Sequence, residues 1–93
     1  MTATLSESFS VAQVSVATTA TKIWTGTGGT DVITIQNLGA NVVTIGPTSG
    51  VTAANGFPIP GTSGASLSFT TTQDIWAIAT TAATNVAVLR TGT

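Results

Sequence analysis

The fold class follows from residues 31–45, DVITIQNLGANVVTI. In an extended chain Ile33 and Ile35 point to one side and Thr34 and Gln36 to the other, which is the period-2 pattern of a half-buried β-strand. The short segment Gly39-Ala40-Asn41 interrupts the pattern before residues 42–45 resume it. A tight connection between two such runs predicts a β-hairpin.

The same alternation recurs along the rest of the chain, and Gly, Asn, Pro, Ser and Thr separate the runs. Such punctuation is typical of short strands joined by turns. About seven short strands predict an all-β chain, folded as a single small β-sandwich or jelly-roll-like domain over residues 9–93. Residues 1–8 have no pairing pattern and are predicted to form an N-terminal arm. The further predicted strands are residues 9–16, 21–24, 65–70, 74–79 and 85–90.

The alternation lapses between residues 46 and 64, where the three prolines of the chain fall. Proline cannot donate a hydrogen bond to a sheet ladder, so this stretch is predicted to be a loop or an edge segment. Phe57 and Ile59 are the apolar side chains that would anchor it.

Charge is scarce in this chain. Its 93 residues contain two basic and three acidic side chains, with no His, Cys or Tyr and a net charge of −1. An ordinary domain has roughly a quarter of its residues charged, so this surface must consist largely of Thr, Ser, Asn, Gly and Ala. Such a surface is easily buried against other chains and poorly equipped for acid–base chemistry. The composition predicts an assembly or coat protein rather than an enzyme.

Several kinds of site are excluded by what the chain lacks. Without His, a Ser nucleophile has no common base, and two dispersed basic residues give no patch for DNA or RNA. No run approaches the roughly 20 apolar residues of a membrane-spanning helix, and residues 1–10 lack the features of a signal peptide. We therefore expect no catalytic residues, no cofactor, no metal, no nucleic acid and no membrane partner.

The acidic side chains are too dispersed for a calcium site, which collects several oxygen ligands. Glu7, Asp31 and Asp74 are predicted to cap turns or to pair with Lys22 and Arg90. The glycine clusters at residues 26–30 and 61–64 lack the Lys-Ser/Thr and helix of a phosphate loop and are predicted to be turns.

Aromatic side chains anchor both cores and interfaces. Trp76 lies within an apolar run and is predicted to be in the core, whereas Trp24 is equally consistent with the core rim and with a subunit contact. The predicted interface draws on the arm, the 46–64 segment and exposed aromatics, and comprises Met1, Leu5, Phe9, Trp24, Val51, Phe57 and Ile59.

Seven segments together carry a resemblance to a known group of proteins. They are IQNLG (35–39), VTIG (43–46), GVT (50–52), NGFPI (55–59), GASLSF (64–69), DIWAI (74–78) and VAVL (86–89). The set spans about two-thirds of the chain and resembles small β-rich virion proteins of tailed bacteriophages. That family has no catalytic motif to transfer.

The resemblance implies a phage virion protein, made in the host cytoplasm, and leaves capsid decoration, head-fibre and tail positions open. Together with the low charge, the missing catalytic residues and the Thr-rich strands, it predicts a non-enzymatic capsid decoration or cement protein on the outer surface of the phage head. Its partner would be the major capsid protein or another virion protein, and a homo-oligomer is expected, with a trimer by analogy with phage decoration proteins. Two alternatives stay open: a tail- or fibre-associated receptor-binding module, and an architectural connector protein.

Overall fold

The computed structural model describes residues 9–92, which form eight β-strands in two antiparallel sheets. Sheet 1 has the strand order β1-β8-β3-β6, and sheet 2 has the order β2-β7-β4-β5. The prediction of a small all-β sandwich is confirmed. The predicted arm lies outside the described residues. The strands are β1 Phe9–Val16, β2 Thr21–Trp24, β3 Asp31–Asn37, β4 Val43–Gly46, β5 Phe57–Ile59, β6 Ser66–Thr71, β7 Ile75–Ala79 and β8 Thr84–Gly92.

Seven of these strands match the predicted runs, and β5 is the addition. It lies inside the 46–64 segment, at the edge of sheet 2, and pairs with three residues of β4. Its middle residue is Pro58, which an edge strand tolerates because one side of the strand has no ladder partner.

The predicted hairpin at residues 31–45 is wrong, because β3 and β4 belong to different sheets. β3 pairs with β6 and β8, whereas β4 pairs with β5 and β7. The connection is a corner organised by Asn37, which is fully buried at the end of β3. Its amide Nδ2 donates to the carbonyl oxygen of Asn41 at 2.8 Å and to that of Pro60 at 3.0 Å, and its Oδ1 accepts from the Gly39 N–H at 2.9 Å.

The core lies between the two sheets and is built from the inward residues of nearly every strand. β3 shows the pattern most clearly, with Ile33 and Ile35 buried and Val32 and Gln36 exposed. The buried apolar cluster comprises Val16, Ile23, Ile33, Ile35, Val43, Ile45, Ile59, Ile75, Ala77, Ala79, Val86 and Val88.

Trp76 is not in this cluster, so its predicted core position is wrong. β7 buries Ile75, Ala77 and Ala79 on its inner face, and alternation along the strand then places Trp76 on the outer face. The Lys22 ammonium lies 5.6 Å from the centre of its ring, which shields part of the indole. Because every residue of this strand is apolar, the sequence pattern could not indicate which face of the strand points into the core.

Candidate functional site

The four edge strands differ in how well they are protected against pairing with another chain. Exposed edges are commonly blocked by charges, prolines, bulges or short length. In sheet 2, β2 has four residues, the charged Lys22 and a register irregularity before Trp24, and β5 has three residues including Pro58. Both edges of sheet 2 are therefore protected.

The edges of sheet 1 have none of these features. β1 pairs with β8 over eight consecutive residues without a register shift, and β6 pairs with β3 over six. The sequences FSVAQVSV and SLSFTT contain neither a charged residue nor a proline. Each strand leaves one row of main-chain N–H and C=O groups without a partner in its own sheet, so each is an open template for another strand.

β1 is also exposed on both faces over its first half. Residues 9–13 are all exposed, and burial begins only toward Val16. On the outer face Phe9 is 69% exposed and Val11 59%. On the inner face Ser10 and Ala12 remain accessible, because sheet 2 does not cover this end of β1.

An apolar groove of about 600 Å³ opens at the opposite edge of the sandwich, between β5 and β6. β5 is too short to cover the inner face of β6, so Leu67 and Phe69 are only partly buried. Phe57 stands at the mouth of the groove with 59% of its surface exposed. Ile45 and Ile75 form part of the floor.

The four charged side chains of the described residues are paired within the subunit. Arg90 Nε lies 2.9 Å from Asp31 Oδ1, and Lys22 Nζ lies 3.3 Å from Asp74 Oδ2. The predicted pairing of both carboxylates is confirmed. Neither β1 nor β6 contains a charged residue that would repel a second copy.

Both carboxylates have a lowered pKa. For Asp31 the main cause is the hydrogen bond from the Thr27 hydroxyl at 2.7 Å, helped by Arg90 and opposed by burial. For Asp74 the main cause that lowers the pKa is the Gly26 N–H at 2.7 Å, helped by Lys22 and again opposed by desolvation. These contacts fix the segment between β2 and β3 at the end of the sandwich.

The predicted interface residues fall into four groups. Phe9 and Phe57 are exposed, at β1 and at the groove. Trp24 packs partly buried against the core, and its indole Nε1 is buried without a hydrogen-bond partner among the described residues. Met1 and Leu5 lie outside the described residues.

Val51 and Ile59 form the fourth group, and their prediction as interface residues needs correction because the subunit buries both. Val51 fills the space left by two glycines: a Cβ on Gly46 or Gly56 would lie 2.7 or 2.8 Å from its Cγ2. Ile59 pairs with Val43 and joins the core. Neither side chain is accessible to a partner.

Sequence reasoning missed the groove. Leu67 and Phe69 show the same alternation as any core strand, and nothing in the pattern reveals that the strand opposite them is only three residues long.

Among residues 9–92, no three His, Cys, Asp or Glu side chains come close enough to hold a metal ion. The same residues contain no helix that could cross a membrane.

Comparison with known proteins identifies a relative of this fold but no family. No protein-family model matches the chain, and no curated protein matches it. A similar solved structure is that of the Bacillus endospore appendages, which form a novel family of disulfide-linked pili. The TM-score is 0.62 at 20% sequence identity, over 91% of this chain and 82% of that chain.

This likeness corrects the functional prediction. The protein that shares the fold is a component of a pilus and not of a phage head, so the prediction of a capsid decoration or cement protein is wrong. The receptor-binding and connector alternatives gain no support from it. The resemblance to phage virion proteins remains a prediction that no match tests. The disulfide linkage of those pili does not carry over, because this chain has no cysteine.

Proposed function

We propose that this chain is a non-enzymatic structural subunit that polymerises with copies of itself, side by side, through the two edges of sheet 1. The main support for this proposal is that the edges of sheet 2 are protected against strand pairing and the edges of sheet 1 are not. The protected edges belong to sheet 2, whereas β1 and β6 are uncharged, free of proline and regular over eight and six residues.

A contact between β1 of one copy and β6 of the next is heterologous, because it joins two different surfaces. Each added copy leaves a new free β1 or β6 at the end of the assembly, so the contact repeats into a ring or an open polymer. The similar solved structure belongs to a pilus, which is an extended assembly of subunits. The absence of His, Cys and Tyr supports a role without catalysis.

Strand pairing alone gives only part of the required free energy. A six-residue antiparallel contact forms roughly six main-chain hydrogen bonds, each worth about 0.5–1.5 kcal/mol net. Association costs about 4–15 kcal/mol in lost translational and rotational freedom. Stable polymerisation therefore also requires burial of apolar surface beside the edges, and the described residues offer such surface at Phe57, Leu67 and Phe69.

The test is sedimentation velocity of the purified chain over a range of concentrations, with negative-stain electron microscopy of the same samples. We expect species larger than a monomer that grow with concentration, and extended particles on the grid. A monomer at every concentration tested would refute the proposal.

One pair of variants shows whether the edge is responsible. Ala12→Lys places a charge on the exposed inner side of β1, a device by which natural edge strands resist pairing. Ala53→Lys makes the same change at an exposed loop position. We expect Ala12→Lys to abolish polymerisation and Ala53→Lys to leave it intact.

A further inference from the structure

The groove between β5 and β6 and the uncovered half of β1 lie at opposite edges of the same sandwich. Each edge lacks a covering segment on its free side. At β6 the inner side chains Leu67 and Phe69 have β3 on one side but no strand on the other to close the groove. At β1 the inner side chains Ser10 and Ala12 have no covering side chain beneath them.

Strand directions determine how these two edges would meet. β1, β8, β3 and β6 are successively antiparallel, so β1 and β6 run in opposite directions. A copy translated along sheet 1 therefore presents its β1 antiparallel to β6, about 4.8 Å away. The inner face remains the inner face under this translation, which brings Ser10 and Ala12 to the same side as Leu67 and Phe69.

We infer that the groove is the docking site for β1 of a second copy, which pairs antiparallel with β6 and closes the groove with the inner side of residues 9–13. This inference rests on the proposed function and names its contact. Phe57, at the mouth of the groove, then packs beneath the small side chains Ser10 and Ala12 of the incoming strand. Large and small side chains meet across the contact, and neither strand brings a charge into it. The charged residue that lines the groove, Asp74, is already paired with Lys22 of its own subunit.

The fit also explains two features that the isolated subunit leaves without a role. Phe57 is a large aromatic side chain held 59% exposed beside an apolar groove. The first five residues of β1 are ordered as a strand although they are exposed on both faces. Burial of Phe57 and of the inner side of β1 against a neighbouring copy supplies the apolar contribution that strand pairing needs.

Disulfide trapping tests the contact directly, because the chain has no cysteine and each variant introduces a single thiol. Ala12→Cys is mixed with a size-tagged chain carrying one cysteine in β6, under mild oxidation. Leu67→Cys, Phe69→Cys and Thr71→Cys sample the inner face, so that each register placing residue 12 opposite residues 67–71 brings one of them within disulfide reach of it. Ser68→Cys is the matched control on the outer face.

We expect a disulfide-linked heterodimer with at least one inner position and none with Ser68→Cys. Three results overturn the inference: no heterodimer at any inner position, equal crosslinking at Ser68→Cys, or an Ala12→Cys homodimer formed as readily as the heterodimer, which indicates β1 paired with β1. The proposed function is judged separately, by sedimentation of the unmodified chain. A wild-type polymer without these crosslinks refutes the groove contact alone, whereas a wild-type monomer refutes both.

Discussion

Replacement of Asn37 by Ala is expected to destabilise the subunit more than almost any other single polar substitution. Its side chain is fully buried and makes three hydrogen bonds, to the backbone of Gly39, Asn41 and Pro60. Alanine removes all three and leaves one N–H and two carbonyl groups without that partner. The corner that sends the chain from sheet 1 to sheet 2 loses its internal support.

The magnitude follows from those three bonds. At about 1 kcal/mol each, their loss lowers the free energy of unfolding by about 3 kcal/mol. In a domain of this size each kcal/mol shifts the melting temperature by roughly 4–8 °C, so the expected decrease is roughly 12–24 °C. Urea unfolding followed by tryptophan fluorescence measures the free energy, and differential scanning calorimetry measures the melting temperature.

Gln36→Ala is the matched control. Gln36 is the preceding residue, but its side chain is exposed and reaches only the Gly64 carbonyl, at 3.5 Å. We expect this variant to lose less than about 0.5 kcal/mol. Equal unfolding midpoints for Asn37→Ala and Gln36→Ala would refute the role assigned to the buried amide.

Two further predictions concern stability. Ile59→Ala should lower the free energy of unfolding by about 2–5 kcal/mol because Ile59 is buried in the core, whereas Phe57→Ala should lower it by less than about 1 kcal/mol because Phe57 is largely exposed. Urea unfolding at concentrations too low for polymerisation measures both losses, and equal losses would contradict the assignment of Ile59 to the core and Phe57 to the mouth of the groove. The lowered pKa values of Asp31 and Asp74 mean that their contribution to stability is complete above the ordinary carboxyl pKa and is lost as pH falls through the lowered values. Urea midpoints should therefore stay level from about pH 8 to 5, where no His titrates, and fall below about pH 4; Asp74→Asn should flatten that fall, and an unchanged wild-type midpoint at pH 3 would contradict the prediction.

The sequence predicted some residues of the candidate site individually, but not how they are arranged in space. Phe9 and Phe57 were predicted as interface residues and are exposed. Val51 and Ile59 were predicted with them and are buried, because apolar residues in a Gly- and Pro-rich segment look alike whether they anchor the segment or project from it. Trp76 shows the same limit within a strand, since Ile75 to Ile78 offered an apolar side chain to either face.

The sequence by itself determined the strand content and the chemical character of this protein. Period-2 alternation bounded by Gly, Pro and Asn leaves little alternative to short strands, and five charged side chains with no His, Cys or Tyr predict a surface made largely of small and polar residues. These are local properties, so each can be read from neighbouring residues.

Only the tertiary structure decided which strands are neighbours and which edges are open. The partners of β3 are β6 and β8, far along the chain, and the corner at Asn37 depends on carbonyl groups up to 23 residues away. The groove exists because β5, on the other sheet, is too short to cover β6. Pairing, coverage and exposure are relations between distant segments, and alternation within one strand carries no information about the strand that faces it.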